Sequence, residues 1–199
     1  MNGIASTPPP MMDLEEAARV TGGTAAGDRV SFSGVCTDSR VIAPGDLFVA
    51  LKGASFDGHD YVPQAIGRGA AAALVARPVG FASEIPQVVV KDTRAALGRL
   101  AASWRERFTL PVAAITGSNG KTTVKEMLAS ILAERCGGRE DVLATEGNLN
   151  NDIGLPLMLL RLRERHRYAV LELGMNHEGE IDYLARLASP GVALVNNAH

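Results

Sequence analysis

Apolar runs and amphipathic stretches alternate along most of this chain, and their spacing predicts its elements. A helix is expected over 13–21, where Asp13 and Glu16 make a capping-box-like start and Gly22 and Gly23 a stop. Strands follow at 30–36 (VSFSGVC) and 47–51 (LFVAL), separated by TDSR and by the turn residues Pro44, Gly45 and Asp46. A short helix over 60–68 leads to strands at 72–76 (AALVA) and 87–91 (QVVVK). Asp92 then opens a helix over 93–107, with Ala96, Leu97, Leu100, Ala101 and Trp104 on one stripe. Beyond FTLP (108–111) the pattern becomes a repeated strand and helix: strands at 112–116, 142–145, 168–173 and 192–196, with helices at 121–135, 152–162 and 178–188. The helix over 121–135 is expected to be amphipathic.

Runs such as VAAIT and AVLEL show no polar alternation, which suits strands buried on both faces of a parallel sheet. The fold class is therefore α/β: a small mixed α/β domain over 12–109, then a parallel-sheet domain over 110–199, with the boundary near 108–111. Residues 1–11, which include three successive prolines, read as a flexible tail. The apolar edge at 192–195 is open to association.

Composition narrows the function. A hydrophobic content of 46% supports a packed core, and a formal net charge of −2 gives no global field for nucleic acid or an anionic membrane. Any polyanion must be held locally. No apolar run approaches the ~20 residues needed to span a bilayer, so membrane insertion is not expected. The two cysteines, Cys36 and Cys136, lie far apart without metal-type spacing. They read as small packing residues of a reduced, cytoplasmic protein. Arg161, Arg163, Arg165 and Arg167 have no interleaved aromatics and read as solvated charge, not a nucleic-acid surface.

The local polyanion site is visible at Gly117, Ser118, Asn119, Gly120, Lys121, Thr122 and Thr123, between an apolar strand and a helix. Glycines let backbone N–H groups approach phosphate oxygens, and a helix N-terminus adds partial positive charge. In this arrangement Lys121 meets the β- and γ-phosphates and Thr122 offers its hydroxyl to Mg²⁺. The general phosphate-loop spacing asks for glycine where Ile115 stands, so the loop is a variant.

Ligands of open parallel sheets collect beyond the carboxyl ends of the strands. The polar clusters of this half follow strands: the phosphate loop, EGNLNND, GMNHEGE and the terminal AH. Glu172 ends an apolar strand, where an ionised carboxylate needs a cation or donors, and Mg²⁺ is one candidate. His199 lies just past a strand end. Asn148, Asn150, Asn151, Asn176 and His177 can orient a polar substrate through hydrogen bonds.

Together these residues resemble the Mur ligase family. TGSNGKTT (116–123) is similar to that family's ATP loop, whose own glycine spacing accounts for the variant. TDSR, GDLFVALKG and FDGHDYV (37–62) resemble its UDP-binding amino-terminal domain. GNLNNDIGLPLMLL and LELGMNHEGEI resemble most the branch that adds D-Ala-D-Ala to UDP-MurNAc-tripeptide. The resemblance implies a UDP-sugar-binding domain followed by part of a P-loop NTPase-like central domain. It implies ATP and Mg²⁺ as cofactors and amide formation through an acyl phosphate. Lys121 is the expected catalytic residue, Thr122, Glu172 and His199 the metal ligands. Ser39, Arg40, Ser55, Phe56, Asn148, Asn150 and Asn151 are the expected contacts to the UDP substrate. Family members continue past His199 with a carbamylated lysine and a closing domain, which implies that this chain alone is inactive or nearly so. Sibling Mur ligases, folylpolyglutamate synthetase-like enzymes and a non-catalytic UDP-sugar/ATP-binding module are the alternatives. Neither an NKxD motif nor an aspartate-ended Walker B strand supports a switch GTPase or another phosphotransferase.

Overall fold

In the computed structural model, which describes residues 9–80 and 85–197, the Asp13 carboxylate accepts the Glu16 amide at 2.7 Å and opens α1 (Leu14–Thr21). Gly22 closes the helix at φ 67°, a left-handed cap that costs glycine little. Residues 1–8 of the expected tail and His199 lie outside the described residues. Met11, at the end of the stretch expected as a tail, is instead buried and donates its amide to the Phe32 carbonyl at 2.7 Å.

By packing, the chain divides into two compact units, one up to Ala96 and the other from Leu97. In the first, β1 (Met12–Asp13) pairs antiparallel with β3 (Ser31–Phe32). A five-stranded sheet has the order β2 (Thr24–Ala26), β7 (Gln87–Val89), β6 (Ala72–Val75), β5 (Asp46–Val49), β4 (Gly34–Cys36). All its pairs are parallel except β2 with β7. The single strand expected over 30–36 is thus two strands in two sheets, parted at Ser33, whose amide bonds to the Gly45 carbonyl at 2.9 Å. β2 escaped the sequence pattern because it is only three residues long and two of them are alanine, a residue depleted in strands. A 3₁₀ turn (Gly58–Tyr61) leads into α2 (Val62–Gly67). Val62 and Ala65 of α2 share a buried core with Phe48, Ala50, Ala73 and Val75.

The second unit holds β8 (Val112–Gly117), β9 (Val142–Ala144), β10 (Tyr168–Glu172) and β11 (Val192–Asn196), all parallel in the order β11-β8-β10-β9. The parallel-sheet α/β architecture expected for this half is present. α4 (Lys121–Cys136) covers one face, where Val124, Leu128 and Leu132 pack on Ile115, Val142 and Val170. Its expected amphipathic character fails on the outer side, since Met127 and Ile131 are 61% and 64% exposed. β8 and β10 are central and largely buried, whereas Val192, Leu194 and Val195 of edge strand β11 are exposed. α5 (Gly154–Leu159) and α6 (Glu180–Ala188) complete the unit.

The packing division falls inside α3 (Thr93–Arg105), whose carboxyl half is bonded into the second unit. Trp104 Nε1 donates to the Leu162 carbonyl at 3.1 Å, and Arg105 Nε to that of Ala188 at 3.0 Å. Cys36 and Cys136 are half-buried, free thiols packed against the cores of the first and second units. Burial pushes the Cys36 thiol up. No helix among the described residues is long and apolar enough to cross a membrane.

Leu74 is fully buried in the central strand β6. Leu74→Ala is expected to cost about 2–5 kcal/mol through lost burial and the cavity left behind. Asp13→Ala removes only a helix cap and is expected to cost about 1 kcal/mol. Urea denaturation of both variants checks the ranking.

Candidate nucleotide and substrate sites

Parallel pairing of β8 to β11 sends the loops that follow them to one sheet edge. Register places Glu172 beside Ile115 and Asn196 beside Gly117, so the ends of β10 and β11 flank the start of the phosphate loop. Gly117 has φ 136° and Gly120 φ 73°, backbone states that L side chains rarely adopt. A Cβ on Gly117 would collide with the main-chain oxygen of Asn196, and one on Gly120 would lie 2.6 Å from Asn196 Nδ2. The glycines therefore make room for β11 as well as shaping a phosphate cradle.

No side chain caps the start of α4, so the amides of its first turn lack the partner that a capped helix supplies. That leaves donors and partial positive charge for an anion. One loop amide faces elsewhere: Ser118 N donates to the Asn197 carbonyl at 3.0 Å. Asn196 Nδ2 donates to the Asn119 carbonyl at 2.9 Å and ties the loop tip to the sheet. Lys121 folds back, with Nζ 2.7 Å from the Gly117 carbonyl, across the loop that it would share with phosphates.

Glu172 is 3% exposed. Thr122 Oγ1 donates to its Oε2 at 2.9 Å and Asn150 Nδ2 to its Oε1 at 2.8 Å. Both partners are neutral, and no basic side chain among the described residues pairs with Glu172. The carboxyl is thus buried among neutral donors, with a hydroxyl oxygen beside it. That oxygen pair suits a hard divalent cation such as Mg²⁺, which keeps waters and phosphate oxygens for the rest of its shell. No group of three His, Cys, Asp or Glu side chains gathers for a metal among the described residues. Among the described residues, the share offered to a metal is the Thr122–Glu172 oxygen pair, which suits an ion whose remaining ligands are phosphate oxygens and waters.

The remaining sequence-predicted residues divide by what their side chains touch. Asn150 serves Glu172, and its carbonyl accepts the Gly174 amide at 2.8 Å. Asn151 Oδ1 accepts the amides of Ile153 and Gly154 at 3.1 and 2.8 Å, and so fixes the start of α5. Asn148 is exposed. Asn176 and His177 donate their main-chain amides to Glu180 Oε2 at 2.6 and 3.1 Å, holding that carboxyl below its ordinary range. Arg163 does not join a basic surface: it bonds the Leu160 and Leu162 carbonyls and lies over the Trp104 ring, while Arg161 pairs with Glu146 at 2.6 Å.

In the first unit a cleft of about 470 Å³ is lined by Thr37, Asp38, Ser39, Arg40, Phe48, Phe56, Gly58, Tyr61 and Gln64. Ser39, Arg40 and Phe56 come together there, but Ser55 is not part of the lining. Ser39 is buried and donates to Gln64 Oε1 at 2.7 Å. Arg40 is held by Asp38 through bonds of 2.7 to 3.2 Å, and those bonds hold the Asp38 carboxyl at about 2. Phe56 and Tyr61 are 53% and 46% exposed, leaving ring surface for a flat ligand. The nearby FDGHDYV motif is internally tied. His59 Nδ1 lies 2.6 Å from Asp57, and His59 Nε2 accepts the Ala76 amide at 2.8 Å.

Sequence reasoning missed Tyr61 and Gln64 in this cleft, and Thr116, Lys125, Thr145, Asn196 and Asn197 around the phosphate loop. Thr116 Oγ1 donates to the Leu173 carbonyl at 2.9 Å, and Thr145 Oγ1 accepts the Glu172 amide at 2.8 Å. A polar residue at the end of each of these short apolar strands was the signal available.

Two models of one family match the chain. The Mur ligase family catalytic domain matches residues 31–105, and the Mur ligase middle domain matches residues 115–199. The UDP-N-acetylmuramoyl-tripeptide–D-alanyl-D-alanine ligase of Escherichia coli is 50% identical over 92% of this chain and 39% of its own length. The Haemophilus influenzae ligase of the same name is 52% identical over 85% of this chain and 37% of its own. Among solved structures, MurF from Acinetobacter baumannii aligns with TM-score 0.84 and 46% identity over 94% of this chain and 41% of that one. MurF from Thermotoga maritima in complex with ADP aligns with TM-score 0.71 and 34% identity over 81% of this chain and 37% of that one. The chain thus spans about two-fifths of the length of these curated relatives. With its two halves matched by the family's two domain models, and a fold shared with solved MurF structures, this chain belongs to the Mur ligase family.

Proposed function

We propose that this chain is the UDP-substrate-binding and ATP-binding part of a ligase that joins D-Ala-D-Ala to UDP-MurNAc-tripeptide in peptidoglycan precursor synthesis. The observation that carries the nucleotide half is the 2.9 Å bond between Thr122 Oγ1 and the buried Glu172 carboxylate, beside a glycine loop at the uncapped start of a helix. The names of its relatives support the substrates. The solved relative with ADP supports an adenine nucleotide.

A carboxylate is a poor electrophile, and its charge repels an incoming phosphoryl group. The reaction therefore begins with attack of the tripeptide's terminal carboxylate oxygen on the γ-phosphorus, and ADP leaves. The D-Ala-D-Ala amine then attacks the carbonyl carbon of the acyl phosphate and loses a proton; the C–O bond breaks, and inorganic phosphate leaves with that oxygen and its electron pair. The loop amides and the α4 N-terminus hold the β- and γ-phosphates, and Lys121 turns its ammonium from the Gly117 carbonyl toward the transferring group. Thr122 and Glu172 would hold Mg²⁺, which supplies neutralisation of phosphate charge. In the first unit, Phe56 and Tyr61 offer faces to the uracil ring, and Ser39 orients the Gln64 amide toward the cleft. A reaction that consumes ATP and a UDP-sugar fits the cytoplasm.

Calorimetry on the chain tests the two sites separately. Lys121→Ala is expected to weaken ATP by about ten- to a hundredfold, the loss of a charge-assisted contact, and to leave UDP-MurNAc-tripeptide binding intact. Ser39→Ala is expected to weaken only the UDP ligand, by about three- to tenfold. Equal effects of either variant on both ligands would remove the two-site reading. Glu172→Gln is expected to abolish most of the gain in ATP affinity that Mg²⁺ brings. A variant that kept the full gain would exclude Glu172 as a metal-side residue.

A further inference from the structure

Lys125 is 2% exposed, one turn along α4 from Thr122 and outside the phosphate loop. Its ammonium donates to the Thr145 carbonyl at 2.8 Å and pairs with Glu126, which also pairs with Arg139 at 2.6 Å. Burying an ammonium is costly, and an apolar side chain of similar length would fill the same space without that cost. The position therefore calls for a donor.

What that donor holds becomes clear by following Thr145. Its hydroxyl accepts the Glu172 amide at 2.8 Å, and its own amide donates to the Val170 carbonyl at 3.1 Å. Glu172 in turn accepts from Thr122, which shares a face of α4 with Lys125 three residues on. The bonds close a ring: Thr122 to the Glu172 side chain, Glu172 backbone to the Thr145 hydroxyl, Thr145 carbonyl to Lys125, and back through one turn of helix. Edge strand β9 ends at Ala144, so Thr145 lies where ladder pairing stops and the asparagine loop begins. Thr145 is tied to β10 through its amide and hydroxyl, and the Lys125 ammonium adds a bond that ties its carbonyl to α4.

We propose that Lys125 is a positioning residue of the nucleotide–magnesium site: by holding Thr145 it fixes the backbone of Glu172, so that α4 itself sets where the carboxylate stands against Thr122. This rests on the nucleotide reading above, and it assigns Lys125 no contact with ATP or the metal. Groups that act on a metal through its ligands typically change metal affinity by about ten- to a hundredfold when removed. Lys125 differs from an ordinary core residue in that its loss is felt at Glu172 specifically.

Two measurements on the chain test it. The first is ATP binding with saturating Mg²⁺ and with EDTA, for the unmutated chain, Lys125→Met, Lys125→Arg and Thr145→Val. Lys125→Met is expected to lose about tenfold in affinity with Mg²⁺ and to change ATP binding in EDTA little, with Lys125→Arg recovering most of the loss. Thr145→Val keeps the carbonyl clamp but deletes the hydroxyl, and should lose the Mg²⁺-specific part too. The double variant should add little further loss, because both lie in one relay. The second is hydrogen exchange of the Glu172 amide without nucleotide or metal, expected to quicken at least tenfold in Lys125→Met relative to other β10 amides. Equal weakening with and without Mg²⁺, uniform quickening across β10, or additive losses would overturn the proposal and leave Lys125 a structural residue. An unmutated chain that binds ATP without any gain from Mg²⁺ would instead overturn the metal reading itself, and the proposal with it. If Lys125→Met does not fold, Lys125→Arg and Thr145→Val decide the matter alone.

Discussion

A carboxylate buried at the end of a central parallel strand is the constraint around which the second unit is arranged. Glu172 is almost without solvent, so its charge must be met by fixed donors. Thr122 from α4 and Asn150 from the loop after β9 meet one oxygen each, and Thr145 holds the main chain. Two segments distant in sequence, the start of α4 and the end of β9 with its following loop, are thereby pinned to the end of β10. These neutral donors fix the orientation of the carboxyl group, so a cation bound there as proposed would find its oxygens already placed.

The phosphate loop is equally dependent on its surroundings. Its glycines permit a left-handed path, but Gly117 is also the only residue type that fits against the Asn196 carbonyl of β11. The side chain of Asn196 then bonds the loop tip. Loop conformation and strand pairing are therefore a single packing problem, and a substitution at Gly117 disturbs both. Much of what a motif marks as phosphate chemistry is at the same time the closing of a sheet.

In the first unit, the polar residues of the cleft are mostly occupied with one another. Arg40 is bound by Asp38, and Arg68 bonds the carbonyls of Ser39 and Arg40 at 3.1 and 2.6 Å. The surfaces left for a ligand are aromatic faces and an amide. That favours recognition by stacking and hydrogen bonding over simple charge attraction.

The sequence by itself determined what depends on neighbours in the chain. Strand, loop and helix around Gly117 to Thr123, the α1 cap at Asp13, the parallel-sheet character of the second half and the family resemblance all follow from local periodicity, caps and contiguous motifs. Only the tertiary structure decided what depends on register. It split the strand over 30–36 between two sheets, placed β11 against the phosphate loop, and gave Asn150 to Glu172 and Asn151 to the start of α5. It also revealed Lys125 and Thr145, whose partners lie 20 and 27 residues away. The physical reason is that a side chain's type limits which bonds it can make, whereas the sheet's register selects the partner that stands within 3 Å of it.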